Sequence, residues 1–305
     1  MYKNILQLIG NTPLVKINRL NPNKKIEFYA KLEFFNPGSS VKDRIALSMV
    51  EGAERKRELT KNKIVLEATS GNTGIGLALV CAVKKYKLFL TMPESVSVER
   101  RKILKALGAE ILLTPAKDGT DGAIEKAYEM ARKNNKYWLA DQFNNPENWK
   151  AHYYGTAEEI WQDTDGKITH FVGSMGTTGT LMGVSKRLKK YNPKIQIIGI
   201  EPFLGHKIQG LKNMKEAYKP GIYDKTRLDK KINVKDEDAY EMARKIAKKE
   251  GIFVGMSSGA AMFGALQVIK GLEKGLVVVL FPDGGERYLS TNLFDPVRNM
   301  PRTSF

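Results

Sequence analysis

The sequence predicts an α/β protein with two α/β domains, each a mostly parallel twisted sheet covered by helices, and an active site in the interdomain cleft. Two observations predict this. Short apolar runs alternate with stretches of helical length along nearly the whole chain, the pattern of parallel strands joined by crossover helices. The Pro/Asn-rich stretch NNPENW (144–149) breaks that rhythm near the middle and marks a boundary. The expected division is 1–145 for a smaller N-terminal domain and 146–305 for a C-terminal one, with strands near 13–34 as candidates to pair with the second.

Taken in order, KIVLEAT (63–69) reads as a strand and TGIGLALVCAVKKY (73–86) as a buried helix. KLFLTM (87–92) is a strand, and VSVERRKILKALG (96–108) is a helix ended by Gly108. AEILLT (109–114) is a strand followed by a helix over 120–135. The second half repeats the pattern, with strands at 168–173, 195–200 and 275–281 and helices near 179–191, 236–251 and 258–271. Ligands of such folds sit at the carboxyl ends of the strands and, between two domains, in the cleft.

Composition narrows the function classes. A 42% hydrophobic, 27% charged chain of 305 residues can bury a sizeable core. The net charge of +17 raises the question of nucleic acid. Its lysines and arginines lie instead in short clusters, such as Arg100, Arg101, Lys102 and Lys105, spread over several predicted helices. That is the pattern of solvated helix faces, so no nucleic-acid partner is expected. The lone cysteine, Cys81, lies in the apolar run IGLALVCAV and reads as a core thiol. No secretory h-region opens the chain and no apolar run reaches membrane-spanning length, so a cytoplasmic protein without membrane contact is expected. His152, His170 and His206 show no ligand spacing, and no metal site is expected.

Five segments carry candidate chemistry. NPGSSVKDR (36–44) sets Lys42 at a helix start, where the positive end of the helix dipole disfavours its cationic form and readies the amine as a nucleophile. EATSGNTGIG (67–76) is a turn between strand and helix. Its amides, with Thr69, Ser70, Asn72 and Thr73, suit a carboxylate. Its glycines, Gly71, Gly74 and Gly76, have the wrong spacing for the dinucleotide fingerprint. GSMGTTGTLMG (173–183) offers amides and hydroxyls from Gly176, Thr177, Thr178, Gly179 and Thr180, and a phosphate dianion fits there without a Walker lysine. GMSSGAA (255–261) and PDGGERYLST (282–291) fall at further strand–helix junctions.

Together these segments, with DQFNNP, resemble the cysteine synthase family, whose fold is the tryptophan synthase β-subunit-like fold type II of pyridoxal-phosphate (PLP) enzymes. The likeness runs from IGNTPLVKI (9–17) to GERYLST (285–291), and DQFNNPENW, ITHFVGSMGTTGTLMGV and GIFVGMSSGAA are most similar to the B-type enzymes (O-acetylserine sulfhydrylase B). The resemblance implies pyridoxal 5′-phosphate as cofactor and Lys42 as both its Schiff-base lysine and the base that moves the Cα proton. It implies Asn72 at the cofactor's 3′-oxygen, Gly176 through Thr180 at the phosphate and Ser257 at the pyridine nitrogen. It implies Thr69, Ser70, Thr73 and Gln142 at the substrate carboxylate.

The implied reaction is β-replacement on a small amino acid through an α-aminoacrylate, foremost O-acetyl-L-serine plus sulfide to L-cysteine plus acetate. A cysteine-consuming, sulfide-forming enzyme yielding serine or lanthionine is the alternative, and a cystathionine β-synthase-like activity comes third. The resemblance implies a homodimer, the usual state of the family, and some A-type relatives bind the tail of serine acetyltransferase, a partner the sequence leaves open. The chain departs from the B-type pattern at Lys212, Asn213 and Met214, at Pro282, and at Glu216. Glu216 is a candidate general acid or base at the cleft mouth, or a surface carboxylate paired with a lysine.

Overall fold

The computed structural model describes residues 1–69, 71–96 and 98–295. Apolar runs become strands and the segments between them helices: β1 (Leu14–Lys16), β2 (Ile26–Leu32), α1 (Lys42–Arg55), β3 (Ile64–Ala68), α2 (Asn72–Lys84), β4 (Lys87–Pro93), α3 (Val98–Ala106), β5 (Glu110–Thr114), α4 (Gly119–Lys133) and β6 (Tyr137–Leu139). There follow α5 (Pro146–Ala151), a π turn at His152–Thr156, α6 (Ala157–Asp163), β7 (His170–Ser174), α7 (Gly179–Tyr191) and β8 (Gln196–Pro202). The chain continues through β9 (Lys230–Val234), α8 (Asp236–Glu250), α9 (Met256–Lys270) and β10 (Gly275–Phe281).

Two sheets form. One has the order β1-β2-β10-β7-β8-β9 and the other β5-β4-β3-β6. All pairings are parallel except β1 with β2. The first two strands thus leave the N-terminal half of the sequence and join the larger sheet. β10 lies between β2 and β7, and Val277, Val278 and Val279 are fully buried. Covered on both faces, such a strand reads as a continuous apolar run, and each buried valine contributes about 1.5–3 kcal/mol.

An ion network locks α1 against the larger sheet. Arg44 Nε donates to Glu33 Oε2 at 2.6 Å and Arg44 Nη1 to Glu159 Oε1 at 2.6 Å. Lys31 Nζ, fully buried, reaches Thr12 O at 2.7 Å and Glu159 and Asp163 at 3.0 Å. The Glu159 carboxyl is driven upward by burial, but Arg44 and Lys31 outweigh this and hold it at about 2. Arg44 lies two residues beyond Lys42 in the first turn of α1, so this network fixes where Lys42 begins its helix.

Candidate active site

A cleft of about 970 Å³ opens between the two sheets. The first turns of α1, α2, α7 and α9 all border it, bringing Lys42, Asn72, Thr73, Thr180 and Ser257 to one space. Helix N-termini carry unsatisfied amides and partial positive charge. Four of them at one cleft favour an anionic occupant.

Lys42 is the first residue of α1. The preceding turn is bolted to the end of β10: Val41 N donates to Pro282 O at 2.8 Å, and Ser40 bridges Asp283. The Lys42 amine makes no hydrogen bond or ion pair among the described residues. Burial lowers its pKa, and the nearby Asp283 and Glu33 charges only partly oppose that. A lowered lysine pKa supplies more neutral, nucleophilic amine near neutrality.

The turn before α2 folds on itself, with Gly71 N donating to Thr69 Oγ1 at 3.2 Å. Ser70, expected at the same turn, lies outside the described residues. Thr73 Oγ1 donates to Gln142 Oε1 at 2.6 Å, which joins two of the residues expected at a substrate carboxylate. Asn72 Nδ2 donates to Asp283 Oδ2 at 2.7 Å, and Arg287 Nη1 donates to Asn72 Oδ1.

The segment Gly176–Thr180 wraps the start of α7. Thr178 adopts left-handed backbone, φ +68°, and its buried hydroxyl has no hydrogen-bond partner. Thr177 Oγ1 accepts from Asn148 Nδ2 at 3.2 Å, and Thr180 Oγ1 lies 3.2 Å from His152 Nε2. A Cβ on Gly176 would collide with Gly210 O, and one on Gly179 with Asn148 Oδ1. An orphaned hydroxyl, a backbone cradle with room only for glycine and the head of a 13-residue helix fit a phosphate. Ser257, the second residue of α9, lines the same cleft and is 5% exposed.

Glu216 also lines the cleft, but its carboxylate is engaged. Lys212 Nζ donates to Oε2 at 2.7 Å, Asn213 N donates to Oε1 at 2.9 Å, and His206 Nε2 lies 3.3 Å from Oε1. Burial would raise its pKa, yet these three partners carry it below the usual value.

Sequence reading missed Asp283, Arg287 and Tyr288 as individuals, although it singled out the segment that carries them. Tyr288 donates to Asp283 Oδ2 at 2.6 Å. The available signal was a run of charged and aromatic side chains flanking the Gly284–Gly285 pair directly after an apolar strand. It also missed Glu67, Asn148 and His152, which support the cleft from behind.

The family model for "Pyridoxal-phosphate dependent enzyme" matches residues 5–283. The cysteine synthase of Aquifex aeolicus is 52% identical over 299 residues, spanning 95% of this chain and 91% of the relative. Cysteine synthase B of Escherichia coli is 46% identical over 288 residues, spanning 94% and 95%. The crystal structure of cysteine synthase from Entamoeba histolytica superposes with a TM-score of 0.93 at 42% identity, covering 97% of this chain and 91% of that one.

Proposed function

The chain belongs to the pyridoxal-phosphate dependent enzymes, and from that premise we propose that it is a cysteine synthase, converting O-acetyl-L-serine and sulfide to L-cysteine and acetate. The observation that carries this is the convergence on one cleft of an unpaired lysine, a phosphate cradle and a carboxylate turn, in a chain whose similarity to cysteine synthases spans nearly its whole length.

Bound PLP supplies an electron-withdrawing ring that acidifies the substrate's Cα–H and lets the β-substituent leave. Lys42 would hold the cofactor's aldehyde carbon, then act as the base that takes the Cα proton. Gly176 through Thr180 would hold the phosphate with amides and hydroxyls, Thr178 contributing the hydroxyl that has no protein partner. Asn72, pinned between Asp283 and Arg287, would meet the ring's 3′-oxygen. The neutral hydroxyl of Ser257 would meet the ring nitrogen without holding a proton there, which keeps the ring a modest electron sink and favours β-elimination over transamination. Thr69, Ser70, Thr73 and Gln142 would receive the amino acid's carboxylate.

Glu216, held as an anion by Lys212, is a poor proton donor at neutral pH. It therefore offers no acid assistance to a leaving thiolate, and neither a cysteine-consuming, sulfide-forming role nor a cystathionine β-synthase role is favoured. We read the two sheets as two domains divided near residue 145, with the first two strands lent to the second. A cytoplasmic homodimer belongs to the same proposal. No helix among the described residues is long and apolar enough to cross a membrane.

The test runs two assays side by side on the PLP-loaded protein. Fast cysteine formation from O-acetylserine and sulfide, with negligible sulfide release from L-cysteine alone, is expected. The reverse ranking overturns the proposal.

A further inference from the structure

We propose that Glu67 is a positioning residue for the amino-acid substrate, holding Gln142 in the one orientation that presents an amide N–H to the substrate's carboxylate; this rests on the cysteine synthase reading above.

Glu67 sits near the end of β3, 2% exposed, and does not line the cleft. Among the described residues no cation forms an ion pair with it. Burial, reinforced by the charge of Asp141, pushes its pKa up to about 8. A carboxylate so placed is costly for the fold. Its hydrogen bonds go to Gln142 and to the adjacent backbone. Glu67 Oε2 accepts from Gln142 N at 3.2 Å and Oε1 from Gln142 Nε2 at 3.2 Å, while the Ala68 amide adds a third.

The other partners of Gln142 do not decide which way its side-chain amide faces. Thr73 meets Oε1, but a hydroxyl donates or accepts with equal ease. Asn148 Nδ2 grips the backbone carbonyl of Gln142 at 2.6 Å and leaves the side chain alone. Asp141 turns the chain through left-handed backbone, φ +51°, and aims Gln142 back over β3. Above its pKa of about 8 the carboxylate is ionised and only accepts, so there Glu67 selects the orientation with Nε2 toward itself. One amide hydrogen then goes to Glu67. The other faces Ala68 O at 3.5 Å, at the outer limit of a hydrogen bond, and a substrate carboxylate can replace that contact. With the amide reversed, Gln142 would present a carbonyl oxygen to an anion.

Glu67→Gln in the PLP-loaded enzyme tests this. The new amide can accept from only one of the two Gln142 N–H groups and opposes the other with its own NH₂. Assayed at about pH 9, where Glu67 is ionised, the KM for O-acetylserine is expected to rise about tenfold, the loss of one charge-assisted bond, with kcat within about twofold by the same reasoning. The KM for sulfide and the cofactor's visible band should stay unchanged. Spectral titration with L-alanine, which has no leaving group, should weaken in parallel. In a Gln142→Ala background, Glu67→Gln should add nothing, because the effect passes through Gln142. Should Glu67→Gln not fold, Glu67→Asp keeps the charge but draws it back from Gln142, and the same selective rise is expected. A folded, PLP-bound variant with unchanged KM, or a full additive loss on top of Gln142→Ala, overturns the proposal alone. A wild-type protein that makes no cysteine overturns the functional reading and the proposal with it.

Discussion

Adding a single methyl group at Gly179 tests whether the cradle at the head of α7 is as tight as its geometry implies. The new Cβ would overlap Asn148 Oδ1. Asn148 is 1% exposed and has no open side to move into. Displacing it endangers its bonds to Gln142 O at 2.6 Å and Thr177 Oγ1 at 3.2 Å. Two neutral hydrogen bonds are worth about 1 kcal/mol each, and overpacking adds about 1–3 kcal/mol. A total of about 3–5 kcal/mol corresponds to a fall in Tm of about 6–10 °C for a chain of this size. PLP affinity should fall as well, because Thr177 belongs to the cradle. Thermal unfolding and visible-absorbance titration of apoenzyme with PLP measure both. In an Asn148→Ala background there is room for the Cβ, and Gly179→Ala should cost markedly less. A Tm within about 1 °C of wild type, with unchanged PLP affinity, would refute the reasoning.

Two further perturbations probe other parts of the site. Glu159, held near 2 against an ordinary 4.5, contributes stability that is complete above about pH 4.5 and lost as pH falls toward 2. Glu159→Gln should cost about 3 kcal/mol at neutral pH and flatten the acid limb of the stability profile, measured by denaturant unfolding from pH 7 to 3. Glu216→Gln should leave sulfide release from L-cysteine negligible and cost at most about 1 kcal/mol, the worth of a partly exposed ion pair. A large change in sulfide release would restore Glu216 as a proton-transfer group, whereas a larger stability cost would mark its pair with Lys212 as structural.

Much of this molecule was legible in its sequence because the physical signals are local. GLVVVLF reads as a strand and becomes β10, buried along nearly its whole length; SGAAMFGALQVIKG reads as a helix and becomes most of the enclosed α9. The loops around Lys42, Asn72 and Gly176 announce themselves through glycines and small hydroxyls at strand–helix junctions. What stayed hidden is of three kinds. β9, with two lysines in KKINV, is an edge strand whose apolar alternation is too short to stand out, and β6 has three residues. The left-handed backbone at Ser39, Asp141 and Thr178 has no composition signature, since none of these is glycine, yet Ser39 lies in the turn before Lys42, Asp141 directly precedes Gln142 and Thr178 is itself an expected site residue. The contacts that orient the site span long separations: Asn72 to Asp283 is 211 residues and Gln142 to Glu67 is 75. No period or motif encodes such pairings; only the topology of two sheets brings them together.

The most direct test of the account is to reduce the purified PLP-bound protein with borohydride, digest it and locate the pyridoxyl group by mass spectrometry. The account predicts the group on the peptide carrying Lys42, and no protein-linked pyridoxyl group in Lys42→Ala. A pyridoxyl group fixed on any other lysine, in the wild type or in the variant, would contradict it.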